Sequence, residues 1–154
     1  DMYLYDDAVN TLINYAKNAE KNGIGVGLVH GMLWDIFLEQ PIGSLKLWRT
    51  KILRKFKFED ILGSDRKVVK AVKKAGYQVV GTTDILGEHD SAPTLEIAKK
   101  KYYEYIHKMK KFNDIKKAEN FINFLKEKNK HPEIIAEAER ALKEDIINKS
   151  KTSI

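Results

Sequence analysis

The longest apolar stretch of the chain, Ile24 to Leu38, sets the first constraint on its fold. Its 15 residues hold only two titratable side chains, His30 and Asp35. It is shorter than the roughly 20 residues needed to cross a bilayer, so it is expected in a folded core and no membrane partner is expected. Val26, Val29, Leu33, Ile36 and Phe37 recur at helical spacing. Gln40 precedes Pro41, a position that disfavours the α region. The pattern therefore predicts an apolar helix that ends before Pro41 and is entered through a junction of Gly23, Gly25 and Gly27.

Around that segment the 3.6-residue period recurs. Asp6 or Asp7 can cap a first helix through Val9, Leu12, Ile13 and Ala16, stopped at Gly23. Ser44 can cap a third through Leu45, Trp48, Ile52 and Leu53, with Phe56, Phe58, Ile61 and Leu62 continuing the pattern to Gly63. Asp65 caps a short basic helix ending at Gly76, with Val68, Val69 and Val72 inward. Residues 77–83 are rich in β-favouring side chains and read as one strand. Residues 84–93 read as a loop. Thr94 then starts a long helix that Asn113 or Asp114 breaks, and Pro132 sits in the first turn of a last helix carrying Ile134, Ile135, Ala138, Leu142, Ile146 and Ile147. The expected class is mainly α: a single domain over 1–148, with six or seven helices, at most a short β-ribbon near 77–83, and a frayed tail at 149–154. The 154 residues are enough to bury a core without covalent staples.

Charge is the second constraint, and it is uneven. Residues 44–75 hold 11 basic and 3 acidic side chains, more positive charge than the +6 of the whole chain. Residues 1–43 and 76–97 are each net −4, and 98–112 hold 6 basic side chains against 1 acidic. Such asymmetry points to a polyanion-binding surface. The bland alternative is a solvated lysine face, since 24 of the 28 basic residues are lysine.

The segment Phe58-Glu59-Asp60-Ile61-Leu62-Gly63-Ser64-Asp65-Arg66-Lys67-Val68-Val69-Lys70-Ala71-Val72-Lys73-Lys74-Ala75 resembles the helix-turn-helix of DNA-binding proteins. Gly63 would be the turn glycine, Phe58 and Leu62 would pack the first helix, and Val69 and Val72 the second. Glu59 stands where the family usually has a small residue, and Ser64 where it usually has an apolar one. The resemblance covers about 18 of the 154 residues. It implies a recognition helix exposing Arg66, Lys67, Lys70, Lys73 and Lys74, with Arg49 and Arg54 clamping the backbone and a wing beginning after Gly76. Arginine can grip a guanine edge bidentately and lysines can neutralise phosphates.

Other chemistry is thinner. The absence of cysteine excludes disulfides, thiolate metal sites and cysteine nucleophiles, while leaving the compartment open. Nothing at the start resembles a secretory signal, which favours the cytoplasm. No two of the four histidines are spaced to ligate from one helical face. The His89-Asp90 pair resembles the metal-binding dyad of HD-type phosphohydrolases but sits in loop-like sequence, so neither metal nor cofactor is expected. Asp35 and Glu39 would lie one helical turn apart and, with His89, are the outside candidates for acid–base catalysis. Tyr102, Tyr103 and Tyr105 beside Lys99, Lys100 and Lys101 form a weaker nucleic-acid signal, in which Tyr103 is the side chain free of the core face.

The leading expectation is a non-enzymatic, helical nucleic-acid-binding protein, a regulator or packaging protein. It would be a homodimer, with DNA the favoured partner, and would use 44–75 aided by 98–112. The rivals are a helical module of a viral or multiprotein assembly, and a small helical hydrolase.

Overall fold

The computed structural model describes residues 2–58 and 64–144. The chain divides into two compact units, 1–91 and 92–154. The first is mixed α/β, which corrects the mainly α expectation. In order it contains β1 (Met2–Leu4), α1 (Ala8–Glu20), β2 (Val26–Asp35), β3 (Gln40–Trp48), α2 (Thr50–Lys55), α3 (Ser64–Lys74) and β4 (Gln78–His89). The four strands form one sheet in the order β1-β4-β2-β3.

The expected helix over the apolar run is β2. It pairs antiparallel with β3 on one side and parallel with β4 on the other. A strand enclosed by neighbours and covered on both faces loses its polar/apolar alternation. Val26, Gly27, Leu28 and Val29 are consecutively buried. The residues expected to begin a third helix at Ser44 are in β3, which continues to Trp48 and leaves only six residues, Thr50–Lys55, for α2. The expected ribbon at 77–83 and the loop after it are one strand, β4, reaching His89.

Register assigns the faces. Trp48, Leu28 and Val79 lie in one cross-strand row, and Leu47, Val29 and Val80 in the next, on the opposite face. Val29, Leu47 and Val80 pack with Ala8, Leu12, Val26 and Leu86 under α1. Trp48 and Val79 pack with Ile52, Val68 and Val72 under α2 and α3. Burying Ile52, Val68 and Val72 contributes about 1.5–3 kcal/mol each. β3 brings the chain back to the end where β2 began, and α2 and α3 then carry it over β2 to the start of β4 on the other side.

The crossover layer sits close to the sheet at Gly27. A Cβ there would lie 2.6 Å from Val72 Cγ1 and 3.1 Å from Tyr77 Cβ.

The second unit holds α4 (Leu95–Lys111), α5 (Ile115–Glu127) and α6 (Pro132–Lys143), packed as three helices. Thr94 caps α4 by accepting from the Ile97 N–H at 3.2 Å, and Pro132 occupies the first turn of α6. Asn113 and Asn129 adopt positive φ, 59° and 49°, in the two connecting turns. Ala98, Tyr102, Ile106 and Met109 of α4 are buried, as are Ile134, Ala138 and Ala141 of α6. The expected tail at 149–154 and the helical positions Ile146 and Ile147 lie outside the described residues.

Gly27→Ala is expected to cost about 1–3 kcal/mol by overpacking, read as a lower urea midpoint with little change in slope. An unchanged midpoint would mean that α3 is not seated on β2 as described.

Candidate functional site

The crossover layer collects most of the basic residues singled out from sequence. In α3, Val68 and Val72 are buried and Val69 is half-buried, so Arg66, Lys67, Lys70, Lys73 and Lys74 fall on the exposed side. In α2, Ile52 is buried, while Lys51, Arg54 and Lys55 are exposed. Lys51 and Lys55 were not among the candidates; their signal was the same charge count that drew attention to the segment. Over 49–58 and 64–77 the described residues include one carboxylate, Asp65. It is paired with Lys46 of β3 at 3.1 Å. Burial raises the Asp65 pKa, but Lys46, the Arg66 N–H and the charges of Lys46 and Arg66 outweigh it and hold the carboxyl below its usual value.

Arg49 differs from the others. Its Nε donates to the Val26 carbonyl at 2.9 Å, and its guanidinium is ion-paired with Glu20. The same Glu20 carboxylate accepts the Val26 N–H at 2.8 Å. Arg49 thus clasps the end of α1 to the start of β2 instead of offering its charge outward.

Of the segment that resembles a helix-turn-helix, residues 59–63 lie outside the described residues, including Glu59, Ile61, Leu62 and Gly63. Phe58 is in no helix; it is 49% exposed and stands edge-on to Trp48, with centroids 5.8 Å apart and planes at 90°. Phe56 and Tyr77 are half-buried nearby in the same layer, with Lys55 Nζ and Lys51 Nζ each 5.4 Å from the respective ring centre. The strand after Gly76 enters the sheet beside β2 and does not form a wing.

A second polar cluster lies at the far end of the sheet. Asp35, only 1% exposed, is opposite His89 in the parallel ladder. Its Oδ2 lies 3.0 Å from His89 Nδ1. Its Oδ1 accepts from Ser91 Oγ at 3.0 Å and from the Leu38 N–H at 2.8 Å. Asp35 and Glu39 are not a helical turn apart. They bracket the β2–β3 turn, where Glu39 has φ 53° and its N–H donates to the Asp35 carbonyl at 2.8 Å. No local pattern indicates that Asp35 and His89 meet, since they are 54 positions apart.

The serine and the histidine both bond to the carboxylate and not to each other, so this is not a relay that activates a serine. It is a clasp joining the hairpin turn to the end of β4. Among the described residues, no three His, Asp or Glu side chains converge on a metal-sized site. Glu88 and His89 are neighbours on a strand and point to opposite faces.

Of the six lysines of 98–112, Lys100, Lys108 and Lys111 are exposed, while others are used within their own unit. Lys99 bridges Glu96 and Glu133, and Lys110 donates to the Ala141 and Glu144 carbonyls at the end of α6. Tyr103, expected to be free, donates to Glu144 and stacks under Arg140, 4.4 Å from its ring centre.

No protein-family model matches the sequence, and no curated protein or solved structure matches the chain. Among the described residues, no helix is long and apolar enough to cross a membrane.

Asp35→Ala leaves three donors facing an apolar gap and is expected to cost about 2–4 kcal/mol. Asp35→Asn keeps an acceptor for Leu38 and Ser91 and is expected to cost clearly less. Urea unfolding followed by circular dichroism compares them, and equal losses would refute the hydrogen-bond account.

Proposed function

We propose that the protein binds nucleic acid, with the outward side of α2 and α3 holding the phosphates. The observation that carries this reading is that α2 and α3 expose eight cations and hold one carboxylate, Asp65, already paired with Lys46. Arg66, Lys70 and Lys73 follow one another at helical i, i+4, i+7 spacing. They span about 10 Å at 1.5 Å per residue. Lys70, Lys73, Lys74 and Arg54 make no ion pair among the described residues. Regulation and packaging both follow from such a surface.

A labelled oligonucleotide titrated at several salt concentrations tests this. The binding constant is expected to fall linearly with log salt, and Lys70→Ala and Lys73→Ala are each expected to reduce the slope by about 1. Both side chains are exposed, so the circular dichroism spectrum stays as in the parent. Absence of binding at about 50 mM salt would sink the proposal.

One observation favours a second reading, a self-associating module. Tyr3, Glu88, Trp34 and Pro41 form a cross-strand row on the same sheet face as α2 and α3, beyond the cluster those helices cover. Trp34 is 37% and Ile85 38% exposed there, with Met32 half-buried between the helices and that row. A second copy of the chain covering this patch would bury these side chains. Trp34→Lys would then convert a dimer to a monomer in sedimentation analysis, whereas a parent that stays monomeric at every concentration would exclude the module.

A further inference from the structure

We infer that the nucleic acid held by this layer is single-stranded, and that Phe58 is the platform on which a base stacks. The inference rests on the nucleic-acid reading above and names the form of the ligand. Phe58 is among the most exposed aromatic side chains of the described residues, at 49%, although it sits against the crossover layer and not at a chain end. Its partner Trp48 is packed against the cluster of Ile52, Val68 and Val72, so the pair is anchored to the core. Two rings at right angles form a corner. A planar base can lie flat on one ring with its edge toward the other.

Cations lead up to that corner in sequence, while Glu59 and Asp60 follow it. Arg54, Lys55 and Lys57 precede Phe58, and α3 packs on the same apolar cluster that holds Trp48 and Phe56. Aromatic platforms inside a basic groove are the chemistry that holds single strands, because every base has a π-face and no particular sequence is required. A duplex already stacks both faces of its bases and has none to offer Phe58.

The character of the cations agrees. The exposed ones are Lys51, Lys55, Lys57, Lys67, Lys70, Lys73 and Lys74, against the arginines Arg54 and Arg66. Lysine is a point charge suited to phosphate, whereas planar bidentate reading of base edges in a major groove calls for arginine, asparagine or glutamine. The third arginine of the layer, Arg49, is held by Glu20 and Val26.

The test uses the full chain and two probes: a labelled oligothymidine of about 15 nucleotides, within the usual range of single-strand sites, and a duplex of the same length. Both are titrated over one salt series against the parent, Phe58→Ala, Phe58→Tyr and the Lys70→Glu/Lys73→Glu double variant. The single strand is expected to bind more tightly than the duplex. Phe58→Ala is expected to weaken single-strand binding about 5- to 100-fold without changing its salt slope. Phe58→Tyr, which keeps the ring, is expected to restore it, and duplex binding should be indifferent to either change. Equal binding of the two probes, or single-strand binding unmoved by Phe58→Ala but lost in the lysine double variant, would overturn the stacking inference while leaving the phosphate surface in place. Binding of neither probe at low salt would overturn both.

Discussion

The parallel pairing of β2 with β4 is the interaction on which the first unit depends. It encloses β2 between β3 and β4, so both edges of its backbone are paired and both faces need cover. α1 supplies the cover on one face through Ala8 and Leu12. β3 occupies one edge of β2 and returns the chain, which must then pass over β2 to reach the other edge. The crossover formed by α2 and α3 covers part of the other face, and its outward side is where the positive charge of residues 44–75 is displayed. The basic surface is thus the outer side of an element that the topology requires in any case. Its inner side is as apolar as its outer side is charged.

The sheet face under that crossover has two characters. At the Leu28 end it is dry, capped by Ile52, Val68 and Val72. Toward the turn it carries Met32, Trp34 and Ile85. The boundary falls at His30, whose ring occupies the space that a Cβ on Gly81 would need, and whose cross-strand neighbour Lys46 reaches Asp65. Two polar devices also hold the ends of β2 in place. Glu20 and Arg49 bracket the backbone of Val26 at its start, and Asp35 gathers three donors at its finish.

The helices were legible because their signals are local. Gly23, Gly76, Thr94, Asn113 and Pro132 mark helix ends by backbone conformation, side-chain capping or the missing N–H, and all five stand at the ends of α1, α3, α4 and α6 or in the turns beside them. The sheet was not legible for a physical reason. Val26, Val29 and Leu33 are buried in a strand whose first four residues are buried without alternation, and the irregularities in its pairing between Val26 and Leu28 shift the period further toward a helical one. Charge counting found the basic layer, since Arg54, Arg66 and the α3 lysines do face outward. It did not foresee that Arg49 would be held by Glu20, 29 positions away. The Asp35–His89 contact exists only through the parallel register, which no local pattern encodes.

That register also bears on how the chain acquires its structure. Val26 must find Gln78 across about 50 intervening residues, so the pairing is non-local and slow to form. The β2–β3 hairpin needs only a short turn and can form much earlier. Until β4 arrives, the hairpin presents one unpaired edge of its most apolar strand. As the chain leaves the ribosome, that interval lasts until His89 has been made, because only then can the Asp35 clasp close. The three helices that follow settle with nearby partners and need no such wait. The dangerous moment in the folding of this unit therefore falls between β2 and β4, when a sticky strand is finished and its neighbour is not.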